Sequence, residues 1–416
     1  MNSEELIMKY DFTTYLDRSH KDSTAWDAVP APDKSGKFNI VPKDKALIKE
    51  GFDAIPMWVA DMNFVCCPAV TRSIADRLAH PSFGYFPASD AYYESIIDWH
   101  KSRKDMDITR EDIGYENGVL GGVISALNVF CSKGDNVLVH SPTYIGFTKA
   151  LSNNGYHIVH SPMKKVDGTW RIDFDDMEKK IVENKIHAMI WCSPHNPTGR
   201  VWEREELEKM AEIAEKHDVK IVSDEIWSDI ILPGYRHIPT QNINEWTKNN
   251  TVALYAPSKT FSLAGLVGSY HVIRNKTLKD RIDKESSLSH YNEMNVLSMH
   301  ALIGGFSPEG QEWVGQLNEV IDENVDIAME TVERIDGISA ARPQGTYMLF
   351  VDCEDWCKEH NVSLDDVLAA GIEHGIIWQD GRMFHGPYAI RLNLALPTNK
   401  VREAFDRMEK YVFVKK

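Results

Sequence analysis

Short apolar runs alternate with amphipathic stretches between about residue 115 and residue 275 of the chain. The runs predict strands, and they are NVLVH (136–140), YHIVHSP (156–162), HAMIWCSP (187–194), VKIVSDE (219–225), TVALYAPS (251–258) and GSYHVI (268–273). The stretch at 203–218 repeats apolar residues at helical spacing and places Glu and Lys on its other face. This alternation predicts an α/β fold with a mainly parallel sheet that is covered by helices.

The pattern changes after about residue 275. Residues 308–337 predict one long helix or two, and apolar runs and helices then alternate to residue 412, which is typical of a smaller α+β domain. We therefore expect an N-terminal segment (1–55), a large domain (56–295) and a small C-terminal domain (296–416). The first 50 or so residues predict an irregular segment that packs on the small domain or on a partner.

Polar residues stand at the predicted carboxyl ends of consecutive strands, where ligands bind in parallel sheets. Asn196 follows HAMIWC, Asp224 follows VKIVS, and Lys259 follows TVALYAPS. Each has an ordinary structural alternative, since Asn196 can start a turn, Asp224 can cap a helix and Lys259 can extend to the surface. Their coincidence at one edge of the sheet favours a shared site.

Composition and charge exclude several classes of protein. The 416-residue chain is 43% hydrophobic and 26% charged, and its formal net charge of −16 offers no basic surface for nucleic acid. No apolar run is long enough to span a membrane, and the first residues lack the apolar core of a signal peptide. The six cysteines predict neither a disulfide framework nor a complete metal site, so we expect a cytoplasmic protein without a metal.

The same motifs resemble a known family. The elements PHNPTG, SDE and SK occur in the order and spacing of the class I/II aminotransferase superfamily, whose members use pyridoxal 5′-phosphate and have fold type I. The resemblance covers most of the chain. The stretches MWVADMNF (57–64), SPHNPTGRVW (193–202) and APSKTFSLAGL (256–266) are similar to those of the cystathionine β-lyase-like subgroup of carbon–sulfur lyases.

The resemblance implies roles for residues around the cofactor ring. Lys259 would form a Schiff base with the cofactor aldehyde and would later remove the substrate Cα proton. Asp224 would keep the pyridine nitrogen protonated, Asn196 would donate to the phenolic oxygen, and Tyr144 would stack on the ring. Trp227 stands near the cofactor where many relatives carry a tyrosine or a histidine.

The cofactor phosphate calls for backbone N–H groups at the start of a helix. The stretch NGVLGGVISAL offers them, and the resemblance places Leu120 and Gly121 at the phosphate, with a simple Gly-rich turn as the alternative. Ser258 and Tyr85 are further phosphate contacts by resemblance, whereas Val267 replaces an arginine that many aminotransferases carry there. In the family this tyrosine comes from the other subunit, so the resemblance implies a homodimer with shared active sites.

An arginine lies inside an otherwise apolar strand. Arg391 in YAIRLNLAL would be costly to bury unless it met an anion, and a guanidinium binds a carboxylate in a bidentate manner. We expect Arg391 to bind the carboxylate of an amino-acid substrate, with the backbone near Val59 and Ala60 completing the pocket. An internal salt bridge is the alternative. Asn63 stands where the subgroup carries a second acid.

The sequence therefore predicts an enzyme, a pyridoxal-phosphate-dependent carbon–sulfur β-lyase. It would convert cystathionine, cystine or another S-substituted cysteine into a thiol, pyruvate and ammonia. An aminotransferase is the alternative, because it uses the same groups and differs in returning the proton to the cofactor. A cofactor-bound regulatory protein with little turnover is a third alternative, and the presence of the full set of catalytic residues argues against it.

Overall fold

The computed structural model describes residues 8–32, 38–288 and 292–414. Its strands are β1 (Ala28–Pro32), β2 (Phe38–Pro42), β3 (Ile55–Pro56), β4 (Ile113–Glu116), β5 (Asn136–Ser141), β6 (His157–Pro162), β7 (Lys164–Val166), β8 (Thr169–Arg171), β9 (Ala188–Cys192), β10 (Lys220–Asp224), β11 (Thr251–Tyr255), β12 (Ser269–Val272), β13 (Ser339–Ala340), β14 (Met348–Asp352), β15 (Ile376–Ile377), β16 (Gln379–Asp380) and β17 (Ala389–Asn393).

The α-helices lie between these strands for most of the chain. They are α1 (Thr24–Asp27), α2 (Pro68–Leu78), α3 (Asp90–Lys104), α4 (Val119–Phe130), α5 (Ile145–Asn153), α6 (Phe174–Glu183), α7 (Arg204–Lys216), α8 (Glu245–Asn250), α9 (Pro257–Thr260), α10 (Lys276–Ser287), α11 (Val296–Gly305), α12 (Pro308–Arg334), α13 (Glu354–His360), α14 (Leu364–Glu373) and α15 (Thr398–Arg407). A π-helix (Met408–Val412) continues α15.

The large sheet has seven strands in the order β4-β12-β11-β10-β9-β5-β6. The pairs from β11 to β6 are parallel, whereas β12 runs antiparallel to both β11 and β4. All six apolar runs that predicted strands belong to this sheet, so the predicted mainly parallel α/β arrangement is confirmed. The pattern did not reveal β4, because its four residues, IGYE, are too short and too polar to stand out.

Helices cover both faces of the large sheet. Val222 and Ile190 pack into a core that includes residues of α4 and α5, while Ile221 and Met189 pack into a second core with residues of α6 and α7. Neighbours in one strand serve different cores because successive side chains point to opposite faces. Strands that are buried on both faces are apolar throughout, which explains the continuous runs in the sequence.

A second, antiparallel sheet has the order β13-β14-β17-β16. The long helix α12 packs beside it and contacts α15, and the stretch predicted as one helix or two is a single helix of 27 residues. The predicted strand at 375–381 is split, since β15 pairs with β3 whereas β16 pairs with β17. The division of the chain at residue 295 stays a prediction.

The N-terminal residues contact the C-terminal part of the chain. Lys49 N donates to Glu373 O at 2.8 Å, Arg407 Nη1 donates to Asp53 O at 2.7 Å, and β3 runs parallel to β15. The expectation of an irregular segment is wrong for β1 and β2, which form an antiparallel hairpin. The boundary at residue 55 stays a prediction.

Three further properties concern the whole described part of the chain. Over these residues no helix is both long and apolar enough to cross a membrane. The same residues contain no group of three His, Cys, Asp or Glu side chains placed to hold a metal ion. All six cysteines are unpaired.

Candidate active site

A cavity of about 510 Å³ lies at the carboxyl ends of the parallel strands. Ten of the twelve residues that the sequence predicts for the site line it, and they are Val59, Ala60, Leu120, Tyr144, Asn196, Asp224, Trp227, Ser258, Lys259 and Arg391. Segments that follow β5, β9, β10 and β11 supply the centre of this set, while β17 supplies the arginine. The structure thus brings together residues that are far apart in the sequence.

Lys259 lies on the single helical turn α9, which follows β11 almost directly. Its Nζ donates a hydrogen bond to the backbone oxygen of Ala60 at 2.9 Å and lies 5.7 Å from the ring centroid of Trp227. Burial, and then the charge of Arg391, lower the pKa of Lys259 to about 8. An amine with this pKa is partly uncharged near neutral pH and is therefore a better nucleophile and base than a surface lysine. The surface interpretation of Lys259 is wrong.

Asp224 is the last residue of β10 and is only 4% exposed. Its Oδ1 accepts a hydrogen bond from the backbone N of Ile226 at 3.0 Å, and it forms no ion pair with any described cation. No α-helix begins here, so the helix-cap interpretation is wrong. Burial raises the pKa of Asp224 to about 7, against smaller lowering effects of that hydrogen bond and of Lys259.

The neighbouring acid Glu225 has the opposite environment. Its carboxylate accepts hydrogen bonds from Thr240 N at 3.0 Å and from Tyr255 Oη at 2.8 Å, and it lies 2.8 Å from His237 Nε2. Burial alone would raise the pKa of Glu225, but the contact with His237 and the other hydrogen bonds lower it below its usual value. Of these two adjacent acids, only Asp224 lines the cavity with its charge uncompensated.

Arg391 lies in the centre of β17 and is 3% exposed. Its Nη2 donates to Trp58 O at 2.9 Å and to Gln379 Oε1 at 2.5 Å, and its Nη1 donates to Asn196 Oδ1 at 3.4 Å. No described carboxylate lies within ion-pair distance, so the internal salt-bridge interpretation is wrong. Burial lowers the pKa of Arg391 to about 10, which leaves a cation at neutral pH. An uncompensated guanidinium at a cavity favours an anion.

The ring of Tyr144 forms part of the cavity wall at the start of α5. It packs edge to face against Phe147, with ring centroids 5.3 Å apart. Gly146 leaves room for this ring, since an added Cβ would lie 2.2 Å from a ring carbon of Tyr144 and 3.0 Å from Leu120. The local sequence therefore holds the aromatic ring in one place.

Helix α4 begins at the cavity. Its N-cap is Gly118, whose φ of 88° is rarely adopted by other residues, and Gly118, Val119 and Leu120 line the cavity. Gly118 has no side chain to cap the helix, and no described side chain caps the first backbone N–H groups, which could meet an anion. The stretch is a helix start rather than an isolated Gly-rich turn. Gly121 lies one residue beyond the lining.

Two residues at this side of the cavity differ in character. Ser258 precedes the lysine and offers a hydroxyl to the cavity. Val267 also lines it, with a φ of 40° that is unusual for a β-branched residue. Any phosphate bound here would therefore rely on N–H groups and hydroxyls of this chain, with no arginine at position 267.

Tyr85 lies outside the cavity of its own chain. It is fully exposed, at 108% of the reference area, within the stretch 81–89, which contains neither helix nor strand. Its predicted role in the site of a second subunit stays a prediction.

Trp58, Gln379 and Gly118 also line the cavity, and none of them was predicted from the sequence. Trp58 and Gly118 lie within the motifs MWVADMNF and NGVLGGVISAL, so the predicted site residues beside them could have indicated their place. Gln379 had no such signal, because its place depends on the pairing of β16 with β17.

Asn63, which replaces an acid of the subgroup, does not line the cavity. Its Oδ1 accepts a hydrogen bond from Trp26 Nε1 at 2.8 Å, and the side chain is buried. Asp61, two residues before Asn63, pairs with Arg18 at 2.7 Å. The replacement therefore affects the attachment of the N-terminal segment rather than the cavity wall.

A family model described as "Aminotransferase class I and II" matches residues 57–408. The chain belongs to this family. It is 33% identical over 301 residues to cystathionine beta-lyase PatB of Bacillus subtilis (strain 168). The matched stretch covers 72% of this chain and 78% of PatB. The family predicted from the motifs is therefore confirmed.

Solved structures of the family agree with this fold. Cystalysin from Treponema denticola, which contains a pyridoxal 5′-phosphate cofactor, is 30% identical, with a TM-score of 0.86 over 97% of this chain and 98% of its own. The pyridoxal-phosphate-bound C–S lyase from Staphylococcus hominis is 28% identical, with a TM-score of 0.84 over 96% of this chain and 98% of its own. The predicted fold type I architecture is confirmed.

The packing of Tyr144 predicts the effect of one methyl group. We expect Gly146→Ala to push the Tyr144 ring from its position and to weaken binding of pyridoxal 5′-phosphate by roughly fivefold, as lost aromatic contacts cost about 1 kcal/mol. Titration of the cofactor-free protein, followed by tryptophan fluorescence, measures the change. Gly315→Ala is the control, because an added Cβ there meets nothing within 4 Å. Equal affinities in the two variants would contradict a role for the Tyr144 ring.

The raised pKa of Asp224 predicts a pH-dependent stability. Ionisation is disfavoured in the folded protein, so stability is lost as pH rises from the ordinary aspartate pKa to about 7. We expect Asp224→Asn to raise the free energy of unfolding of the cofactor-free protein by up to about 4 kcal/mol at pH 8 and by less at pH 5. Denaturant unfolding at both pH values measures this.

The matched control for that experiment is the adjacent acid. Glu225→Gln should destabilise the protein at pH 8, because the native pKa of Glu225 is lowered and its hydrogen bonds need the carboxylate. If Asp224→Asn instead lowered the free energy of unfolding at pH 8, burial of the ionised Asp224 carboxylate would not destabilise the folded protein.

Proposed function

We propose that the protein is a pyridoxal-phosphate-dependent carbon–sulfur β-lyase that acts on cystathionine or a related S-substituted cysteine. The observation that carries this proposal is the convergence of Asp224, Lys259 and Arg391 on one cavity, none of them paired with a described group of opposite charge. The names of PatB and of the Staphylococcus hominis C–S lyase, both of which the chain resembles over most of its length, support the lyase over other activities.

The residues of the cavity fit the cofactor. A buried carboxyl without a cation, Asp224, suits a protonated ring nitrogen, and the free N–H groups at the start of α4 suit a phosphate. Leu120, Gly121 and Ser258 would hold that phosphate, with Tyr144 against the ring. When bound, pyridoxal 5′-phosphate supplies an aldehyde that joins amines and a ring that withdraws electrons from the amino-acid Cα.

Lys259 would act at two points. Its amine, with a lowered pKa, would hold the cofactor and would then accept the proton from the substrate Cα. The hydrogen bond to Ala60 O holds Nζ in place. Trp227 forms the surface beside Nζ and packs edge to face on Tyr347.

Arg391 would bind the α-carboxylate of the substrate. The neighbouring loop is fixed, because Asn393 Nδ2 donates to Val59 O at 2.9 Å and Tyr347 Oη donates to Ala60 O at 3.3 Å. The backbone at Val59 and Ala60 therefore forms a firm edge to the carboxylate pocket. Asn196 would donate through its amide to the phenolic oxygen of the cofactor while its Oδ1 accepts from Arg391.

The proposed reaction balances without an oxidant. Lys259 takes the Cα proton, the Cβ–S bond breaks, and the sulfur leaves with the bonding electrons and is protonated to a thiol. The remaining three-carbon enamine takes up water and yields pyruvate and ammonia. The apolar side chains of the cavity, such as Ile145 and Ile226, accommodate a thioether more readily than a charged group.

An aminotransferase is the second candidate function. The description of the family favours it, and the same charged side chains serve both reactions. The two differ in whether the group on Cβ leaves before Lys259 returns its proton.

We also propose a cytoplasmic homodimer with shared active sites. The exposed aromatic side chains of Phe83 and Tyr85 lie in a stretch without regular structure, as expected of a segment that packs on another chain. Six unpaired cysteines agree with a reducing compartment. The substrate is a small amino acid rather than a nucleic acid, since the net charge of −16 repels phosphate backbones.

The lyase proposal predicts a product that needs no acceptor. We expect the cofactor-loaded protein to release pyruvate from L-cystathionine without any keto acid. Lys259→Ala should lose roughly a hundredfold or more of this rate, because the general base is gone. Lys276→Ala, at an exposed lysine of α10, is the control and should keep it. Amino transfer that depends on a keto acid, with no pyruvate, would support the aminotransferase instead.

The shared site predicts complementation between two inactive variants. Lys259→Ala and Tyr85→Ala should each lose activity, and subunits of the two that are unfolded and refolded together should recover up to about a quarter of the wild-type rate, since half the dimers then contain one intact site of two. Pyruvate release from the mixture measures this. If Tyr85 acted within its own chain, the mixed dimers would stay inactive.

A further inference from the structure

Gln379 and Arg391 lie directly opposite each other in neighbouring strands. They are paired in the antiparallel register of β16 and β17, so their side chains share one face of the small sheet. Gln379 Oε1 accepts the hydrogen bond from Arg391 Nη2 at 2.5 Å. Gln379 is half-buried and also lines the cavity, so the contact forms part of the cavity wall.

All described acceptors around this guanidinium are neutral. They are the backbone oxygen of Trp58 and the amide oxygens of Gln379 and Asn196, with the ring of Phe384 4.4 Å from the guanidinium carbon. These groups fix the plane of the guanidinium without cancelling its charge. The full positive charge therefore stays available to a ligand.

Another buried arginine of this chain, Arg200, has different hydrogen-bond partners. Arg200, also 3% exposed, donates to the carboxylate of Glu206 at 2.5 Å and to the amide oxygen of Gln344. The ion pair with Glu206 neutralises Arg200, which holds structure near the end of β9. Arg391 therefore differs from Arg200 in having no carboxylate partner among the described residues. The comparison shows that a buried arginine of this protein can have such a partner.

We propose that Gln379 is a positioning residue that orients Arg391 for the substrate carboxylate while keeping its charge uncompensated. This rests on the proposed role of Arg391 as the carboxylate-binding residue. A glutamate at position 379 would have the same shape, but its carboxylate would pair permanently with Arg391 and compete with the substrate. The neutral amide at position 379 is therefore a requirement for binding.

The test compares cofactor-loaded wild type with Gln379→Glu, Gln379→Met and Gln311→Glu. The last variant adds the same charge on α12, outside the cavity lining. Calorimetry measures the dissociation constants of 3-(methylthio)propanoate, which carries a carboxylate and no reactive amine, and of its uncharged amide. Steady-state kinetics with S-methyl-L-cysteine measure KM and kcat separately.

We expect Gln379→Glu to weaken binding of the carboxylate ligand, and to raise KM, by roughly tenfold or more, because the guanidinium is already paired. The amide ligand and kcat should change by less than about threefold, as the interaction lost is with the carboxylate alone. Gln379→Met keeps the charge of Arg391 free and loses only its orientation, so its effect should lie between wild type and Gln379→Glu. Gln311→Glu should behave as wild type.

Three results would overturn the inference. The first is unchanged carboxylate binding in Gln379→Glu, and the second is no carboxylate binding by the wild type. The third is an equal loss of affinity for the carboxylate and the amide, which would indicate a general structural role. Because the carboxylate ligand does not react, its binding is independent of turnover. A wild type that releases no pyruvate but shows the expected binding pattern would overturn the lyase proposal and leave the role of Gln379 standing.

Discussion

Three ionisable side chains share one cavity without neutralising one another, and the site depends on this constraint. Asp224, Lys259 and Arg391 each lack an ion-pair partner among the described residues, and burial moves the pKa of each in the direction that favours its neutral form. Such an arrangement costs free energy in the absence of a ligand. A ligand that brings a ring cation, a group that reacts with an amine, and a carboxylate would relieve all three costs together, so the cost of these buried groups agrees with the proposed binding function.

The surrounding structure tolerates this cost because the neighbouring buried charges are satisfied. Glu225 meets His237 at 2.8 Å, and Asp229 pairs with Lys104 and accepts a hydrogen bond from Thr260 Oγ1 at 3.0 Å. Thr260 directly follows Lys259, so the buried pair around Asp229 holds the turn that carries the reactive amine. The satisfied acid beside Asp224 and the hydrogen-bonded Thr260 beside Lys259 therefore hold the backbone at these two site residues.

Much of this arrangement could be predicted from the sequence, for a physical reason. Asn196, Asp224 and Lys259 follow apolar runs, and parallel strands bring such ends together whatever the loops between them do. Gln379 could not be predicted in this way, because its contact depends on the antiparallel register of β16 with β17. The hairpin of β1 and β2 was missed as well, since its strands are short and contain three prolines. The proposed role of Tyr85 depends on a second chain, and only the resemblance to the family suggested it.

The small sheet and the reactive lysine are coupled through one loop. Asn393, two residues after Arg391, donates from Nδ2 to Val59 O at 2.9 Å and to Asp61 O at 2.7 Å. Ala60, between them, accepts the hydrogen bond of Lys259 Nζ at 2.9 Å. The strand that carries Arg391 thus also positions the backbone oxygen that accepts the hydrogen bond of Lys259 Nζ. If Arg391 and Lys259 have the proposed roles, the strand for carboxylate binding and the lysine for proton transfer are held by hydrogen bonds to the same three-residue loop.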